Sequence, residues 1–253
     1  SGQGGGAGFG GVVNPGAVGE TIGILGDQFN NRANRGPSDF DRRHRFVMSG
    51  LYELPKLGVE NGFAKAILHN WQVSGIWTSM TGLPVDIVDT GAGSFYGLSG
   101  GGAPLSRASW RPGATRETAT SNVPPGFYFN PAAFVRPVVV AGAPIPRSGG
   151  SVIPGATGTD FGNLGRNVLT GPGQHNVDFS IFKRFPVRER MSVEFRAEFF
   201  NLFNHVNFSN PISDVNAVLG SGGAINPATG EITNPGSFGR LVSTSNNPRL
   251  MQF

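Results

Sequence analysis

Several groups of residues in this chain have types and spacings that could do chemistry. Gly6-Ala7-Gly8-Phe9-Gly10-Gly11 matches the dinucleotide fingerprint letter for letter. That fingerprint works only between a strand and a helix whose N-terminus faces a pyrophosphate, and Val12-Val13-Asn14-Pro15 cannot open a helix. Gly97-Leu98-Ser99-Gly100-Gly101 has the form of a nucleophile elbow, but it stands in a glycine-rich loop without the strand–turn–helix frame that exposes such a serine. Glu194 and Glu198 could form a glycosidase-like carboxylate pair. On a strand, same-face residues four apart lie about 13 Å apart, beyond the catalytic separations, and Arg196 between them keeps both ionised. The four histidines, His44, His69, His175 and His205, are far apart with no HExxH spacing, so no metal site is expected. Arg42-Arg43-His44-Arg45 is a basic cluster partly neutralised by Asp39 and Asp41. A nucleic-acid surface would need further basic residues and stacking aromatics beside it. The expectation is no catalysis, no cofactor, no metal and no nucleic-acid partner.

The elements that position these side chains are strands. The chain has 253 residues with 40 Gly and 19 Pro, only 14% charged residues and a net charge of +4. The Gly and Pro content lies close to the level at which disorder sets in. Yet 20 Phe and 38% hydrophobic residues are too many for a chain that stays unfolded. The absence of Cys removes disulfide scaffolds and thiol chemistry, and no apolar run approaches the roughly 20 residues of a membrane-spanning helix. Ser1 opens a Gly tract rather than a basic then apolar segment, so these residues are not expected to include a signal peptide. Helical periodicity is nearly absent, the one candidate near Phe63–Asn70 being too short to stand alone.

Strict alternation, the mark of a strand, runs through four windows. In Met191–Phe199 the odd positions Met191, Val193, Phe195, Ala197 and Phe199 are apolar, and the even positions are Ser192, Glu194, Arg196 and Glu198. Val177, Phe179 and Ile181 share a face opposite Asp178 and Ser180; Phe46, Met48, Gly50, Tyr52 and Leu54 oppose Arg45, Val47, Ser49, Leu51 and Glu53; Trp71, Val73, Gly75 and Trp77 oppose Gln72, Ser74, Ile76 and Thr78. The fold class is all-β, with three shorter strands expected near 83–88, 127–135 and 249–253.

Connections alternate between short and long, with Gly/Pro-rich stretches following the second and fourth strands. A compact soluble domain rarely holds an irregular loop of about 80 residues, whereas an up-and-down outer-membrane barrel expects short turns on one side and long loops on the other. Alternation alone leaves two readings open. In a soluble sandwich the apolar face packs inward; in a barrel it meets lipid and the polar face lines the lumen. Trp71 and Trp77 are separated by about 20 Å of strand, or about 15 Å of height when tilted, less than the apolar band of about 25 Å. Only one of the two can therefore sit on an aromatic girdle.

Ser38-Asp39-Phe40-Asp41-Arg42-Arg43-His44-Arg45-Phe46 with Tyr52-Glu53-Leu54-Pro55 resembles a late barrel strand of TonB-dependent receptors. Asn70-Trp71-Gln72-Val73-Ser74-Gly75-Ile76 with Thr81-Gly82-Leu83-Pro84 resembles the next. Gly165-Arg166-Asn167, Gly171-Pro172-Gly173, Asn176-Val177-Asp178-Phe179-Ser180, Lys183-Arg184-Phe185 and Glu194 through His205 form the densest match. Phe238-Gly239-Arg240 and Asn247-Pro248-Arg249 introduce the last strand. The branch it resembles is the Oar-like one, often found behind a carboxypeptidase-regulatory-like domain.

The resemblance implies an antiparallel up-and-down outer-membrane β-barrel segment, partial and open, from a Gram-negative-type bacterium. Its implied function is TonB-dependent transport or reception of an unknown small molecule, glycan or peptide. The implied partners are outer-membrane lipids and, through N-terminal parts that these residues do not include, the TonB complex. Residues 1–253 are then expected to be a C-terminal fragment: loop 1–42, strands 43–88, long external loop 89–172, hairpin 173–208, loop 209–247 and the start of a last strand at 248–253. Both long loops are expected to be extended or poorly packed. Arg45, Gln72, Asp178, Glu194, Arg196 and Glu198 are the candidate lumen-facing residues. Phe46, Tyr52, Trp71, Trp77, Phe179, Ile181, Val193, Phe195 and Phe199 are the candidate lipid-facing ones. The rival reading is a soluble or secreted all-β binding, adhesion or filament-forming protein.

Overall fold

The structure, a computed structural model, describes residues 26, 32–56, 58, 61–97, 106–144, 150–188 and 191–253. The glycine run 6–11 and Ser99 of the elbow-like pentapeptide lie outside the described residues. The chain divides into two compact units.

One unit comprises Arg42–Gly82, Pro172–Phe208 and Thr244–Phe253. It holds one antiparallel sheet of five strands: β1 (Arg45–Glu53), β2 (Trp71–Met80), β3 (Gln174–Arg188), β4 (Met191–Phe200) and β5 (Leu250–Gln252), ordered β1-β2-β3-β4-β5. A short helix, α1 (Gly62–Leu68), lies between β1 and β2; the Asn61 side chain caps it, accepting from the Phe63 and Ala64 amides. The sheet is open. Among the described residues β1 pairs on one side only, and β4 meets β5 only at Glu198–Phe200, so the second edge of Met191–Ala197 has no neighbour there.

Two strand ends differ from the sequence reading, in which strand 177–185 is joined to strand 191–203 through Pro186-Val187-Arg188-Glu189-Arg190. Pro186 does not end β3: it pairs with Ser192 where the β3–β4 register shifts at Met191/Ser192, and a bulge is a place where a strand tolerates proline. β4 stops at Phe200 rather than running to Phe203, because Asn201 takes a left-handed backbone, φ 50°, which asparagine enters more readily than most residues. Ala197 is the unit's one buried apolar residue among those described. A soluble sandwich would bury Phe195 against Trp71, yet Phe195 is 43% exposed.

The other unit, formed by Leu83–Gly171, Ser209–Ser243 and the described part of the stretch ending at Asp41, corrects the expectation that the long loops are poorly packed. They fold around a continuous apolar core containing Val85, Ile87, Phe129, Phe134, Leu164, Leu169, Val215, Val218 and Phe238. Phe129, Phe134 and Phe238 pack edge to face with centroids 5.1–6.0 Å apart, and Trp110 stacks on Phe134 at 5.0 Å. Each such aromatic pair adds about 0.5–1.5 kcal/mol beyond the area it buries. Two-residue strand pairs, such as Pro84–Val85 with Leu169–Thr170, hold the segments together.

Glycine serves packing here rather than disorder. A Cβ on Gly162 would lie 1.9 Å from the Arg107 carbonyl oxygen, and one on Gly230 (φ 73°) 1.8 Å from that of Arg136. Only a bare backbone allows those approaches. Ion pairs knit the same unit. Arg107 Nε lies 2.8 Å from both Asp86 oxygens, and both side chains are buried. Asp39 corrects its sequence reading: it pairs with Arg166 at 2.6 Å and accepts from Asn167 Nδ2 at 2.7 Å, rather than neutralising the neighbouring arginines.

Candidate functional site

The candidate site is the five-stranded sheet itself, whose register sorts its side chains. Residues directly opposite each other in an antiparallel ladder share a face. Tyr52 opposes Val73, Val73 opposes Ile181, and Ile181 opposes Ala197. Following the pairs outward puts Phe46, Tyr52, Trp71, Trp77, Phe179, Ile181, Val193, Phe195 and Phe199 on one face. Arg45, Gln72, Asp178, Glu194, Arg196 and Glu198 fall on the other. No residue of either candidate set crosses over. Aromatic contacts run across the strands of the apolar face, with Phe46 and Trp77 edge to face at 5.1 Å and Phe179 near Phe199 at 6.4 Å. Tyr52 is 60% exposed and Val193 59%.

A single-layer sheet that leaves large apolar side chains such as Phe46, Tyr52, Trp77 and Phe195 exposed on one face is unfavourable in water, and such contiguous apolar patches mark contact with a membrane or a partner. A family model described as "Outer membrane beta barrel domain" matches residues 7–252. The chain belongs to that family. Its place is the outer membrane of a Gram-negative-type bacterium, which removes the soluble or secreted alternative. Comparison with curated proteins and with solved structures finds no match.

On the polar face of this barrel segment the charges form a ladder. Arg184 lies 3.4 Å from Glu194, Arg196 lies 3.2 Å from Glu194 and 3.6 Å from Glu198, and the Gln252 amide donates to Glu198. Arg196 also lies over the Phe182 ring at 5.0 Å. With Glu53, Lys56, Gln72 and Phe182, the Arg184 and Glu194 end of the ladder lines a cavity of about 440 Å³ at the end of the sheet bearing the short connections. Asp178 belongs to a different arrangement. One of its oxygens accepts from Asn176 Nδ2 at 2.8 Å and from the Asn201 amide at 2.9 Å, tying down the chain where β4 ends. Arg45 lies at the opposite end, paired with Met80, so the structure does not gather all six polar candidates into one cluster.

Arg184, Lys56 and Glu53 were not among the sequence candidates. The alternation that exposes Asp178 and Ser180 runs on through Phe182 to Arg184, a signal obscured by Lys183. That lysine sits on the apolar face, opposite Trp71 and Phe195. Its Nζ donates to the His69 carbonyl and lies 5.2 Å from the Trp71 ring and 5.1 Å from the Phe185 ring. The charge is thus held by aromatic faces, which attract a cation.

At the other end, His175 and His205, 30 residues apart in sequence, meet with ring centroids 5.8 Å apart. This corrects the reading that the histidines are scattered. His175 Nδ1 is within 2.9 Å of Ser79 Oγ, and no group of three or more potential metal-binding side chains comes together among the described residues. Arg42, from the basic cluster, donates to the Thr81 carbonyl at 2.7 Å and to Gln174 Oε1 at 3.1 Å, so its charge anchors the end of the sheet.

Proposed function

We propose that this chain is part of a TonB-dependent receptor barrel of the Oar-like branch, with its apolar face to lipid and its polar face to the lumen, and that it carries out no catalysis. The observation that carries the reading is the segregation of the faces. Every candidate apolar residue lies on one side of a single layer, and the other side bears an ordered ladder of charges. In a barrel the lipid-facing side is apolar and the interior polar. Glu194 and Glu198 both engage Arg196, an arrangement that suits a lumen wall better than a general acid. The two connections that carry the second unit are the long ones, and long loops of outer-membrane barrels are extracellular. We therefore assign ligand capture to that unit, the ligand being a small molecule, glycan or peptide.

The receptor type rests on the motifs around Asn70-Trp71-Gln72, Gly165-Arg166-Asn167 and Glu194 to His205. The resemblance gains support from Asp39 and Arg166, which belong to separate stretches of it and form an ion pair. The test is photo-cross-linking of the full-length protein in its native outer membrane to the periplasmic domain of TonB. A specific adduct that depends on the protein's own N-terminal region supports the receptor. A protein that yields no adduct and conducts ions steadily in planar bilayers would be an open pore instead.

A further inference from the structure

α1 spends sequence on a helix that buries nothing. Its seven residues include Phe63, Ile67 and Leu68, all exposed, Phe63 at 77%, and no residue of the helix is buried. Phe63 and Ile67 are four apart and share a side of the helix. A helix this short is marginal in water, and its Asn61 cap contributes only about 1 kcal/mol. An apolar phase must cover its exposed side chains for it to persist.

The C-terminal end of α1 is drawn toward the apolar face of the sheet. Trp71 Nε1 donates to the Ile67 carbonyl at 2.7 Å, and Lys183 Nζ donates to the carbonyl of His69, the C-cap. Trp71 and Lys183 oppose each other on that face. An indole with its N–H satisfied, a lysine packed along apolar surface and a flanking Phe185 are the kinds of side chain that mark a membrane–water boundary.

We infer that α1 is an interfacial membrane helix, lying in the headgroup–acyl boundary of the leaflet at the short-connection end, with Phe63, Ile67 and Leu68 inserted among phospholipid chains. Lys56 and Lys65, both exposed, supply positive charge beside it, so an anionic phospholipid is the preferred neighbour. The inference rests on the apolar face of the sheet meeting lipid, since the helix continues that face at its rim.

The sequence contains no Cys, so single cysteines can be introduced here without background from this chain. The full-length protein carrying Phe63→Cys, Ile67→Cys or Phe195→Cys is labelled with bimane and reconstituted in phosphatidylethanolamine/phosphatidylglycerol vesicles containing lipids brominated at a chosen depth. Labels at 63 and 67 should lose emission most with bromines near the headgroup, and the label at 195, opposite Lys183 on the apolar face of the sheet, should be quenched by brominated lipid as well. If position 195 is quenched while 63 and 67 respond to no brominated lipid, α1 lies in water or against a protein, and the inference fails. If position 195 is not quenched either, the lipid-facing assignment of the sheet fails with it.

Discussion

The two units of this chain use their apolar residues in opposite ways. The five-stranded sheet has long, regularly paired strands, yet Ala197 is its one buried apolar residue among those described. The unit built from the long connections has strands of two or three residues, and it holds every other buried apolar residue described, Phe129, Phe134 and Phe238 among them. Regular secondary structure and a hydrophobic core are therefore separable. The sheet satisfies its backbone by pairing and leaves its side chains for a solvent that is not water, as spanning a bilayer requires. The loop unit satisfies its backbone piecemeal and is stabilised by burying side chains from water.

This contrast sets the expected order of mutational effects. Phe134→Ala, at a fully buried ring touching three other aromatics, should destabilise the loop unit by about 3–5 kcal/mol. Denaturant unfolding can follow it through Trp110 emission, in a background where Trp71 and Trp77 are Phe. Phe179→Arg, on the same face four residues along β3 from the boundary residue Lys183, should leave that transition unmoved. Near the bilayer midplane it should cost about 2–4 kcal/mol in equilibrium folding into vesicles. If the two substitutions each affected both readouts equally, the division of labour between the units would be wrong.

Titration sharpens the comparison further. Burial raises the pKa of Asp89 above the ordinary carboxylate value, opposed by Arg136 and by the Gly91 amide, and burial raises Asp86 likewise, opposed by Arg107. A raised folded-state pKa means that the carboxyl contributes its stability fully below about pH 3.9, the unfolded value. That contribution is lost as pH rises through the folded value. The wild-type loop unit should therefore gain on Asp89→Asn as pH is lowered from neutral, read as the difference between their melting temperatures at each pH. A difference that moves the other way would mean that Arg136 outweighs burial. The smallest effect belongs to Glu194→Gln. The ladder is solvent-exposed in this sheet, and exposed ion pairs contribute little, so the stability of the sheet in vesicles should not change measurably.

How much of this was legible in the sequence follows from the range of each signal. Alternation at Val193, Glu194, Phe195 and Arg196 is local, and a two-residue period names the faces before any contact is known. The loop core is not local. Phe129, Phe134 and Phe238 lie in segments with no common period, and their glycines resemble disorder by composition while acting as close contacts at Gly162 and Gly230. Lys183 obscured the alternation of β3 because its partners, Trp71 and the His69 carbonyl, come from the neighbouring strand and the turn before it. The proximity of His175 to His205 depends on how the chain returns after β4, which spacing along the sequence does not reveal.

The central claim is that consecutive residues of β4 meet different solvents. Its most direct test is a cysteine scan of positions 193 to 199, one at a time, in the full-length protein folded in native outer membranes, read by reaction with a charged, membrane-impermeant thiol reagent. The account predicts a period of two, with positions 194, 196 and 198 reactive from the lumen and 193, 195, 197 and 199 protected by lipid. Uniform reactivity along the strand, or reactivity at 193 and 195 with protection at 194 and 196, would contradict it.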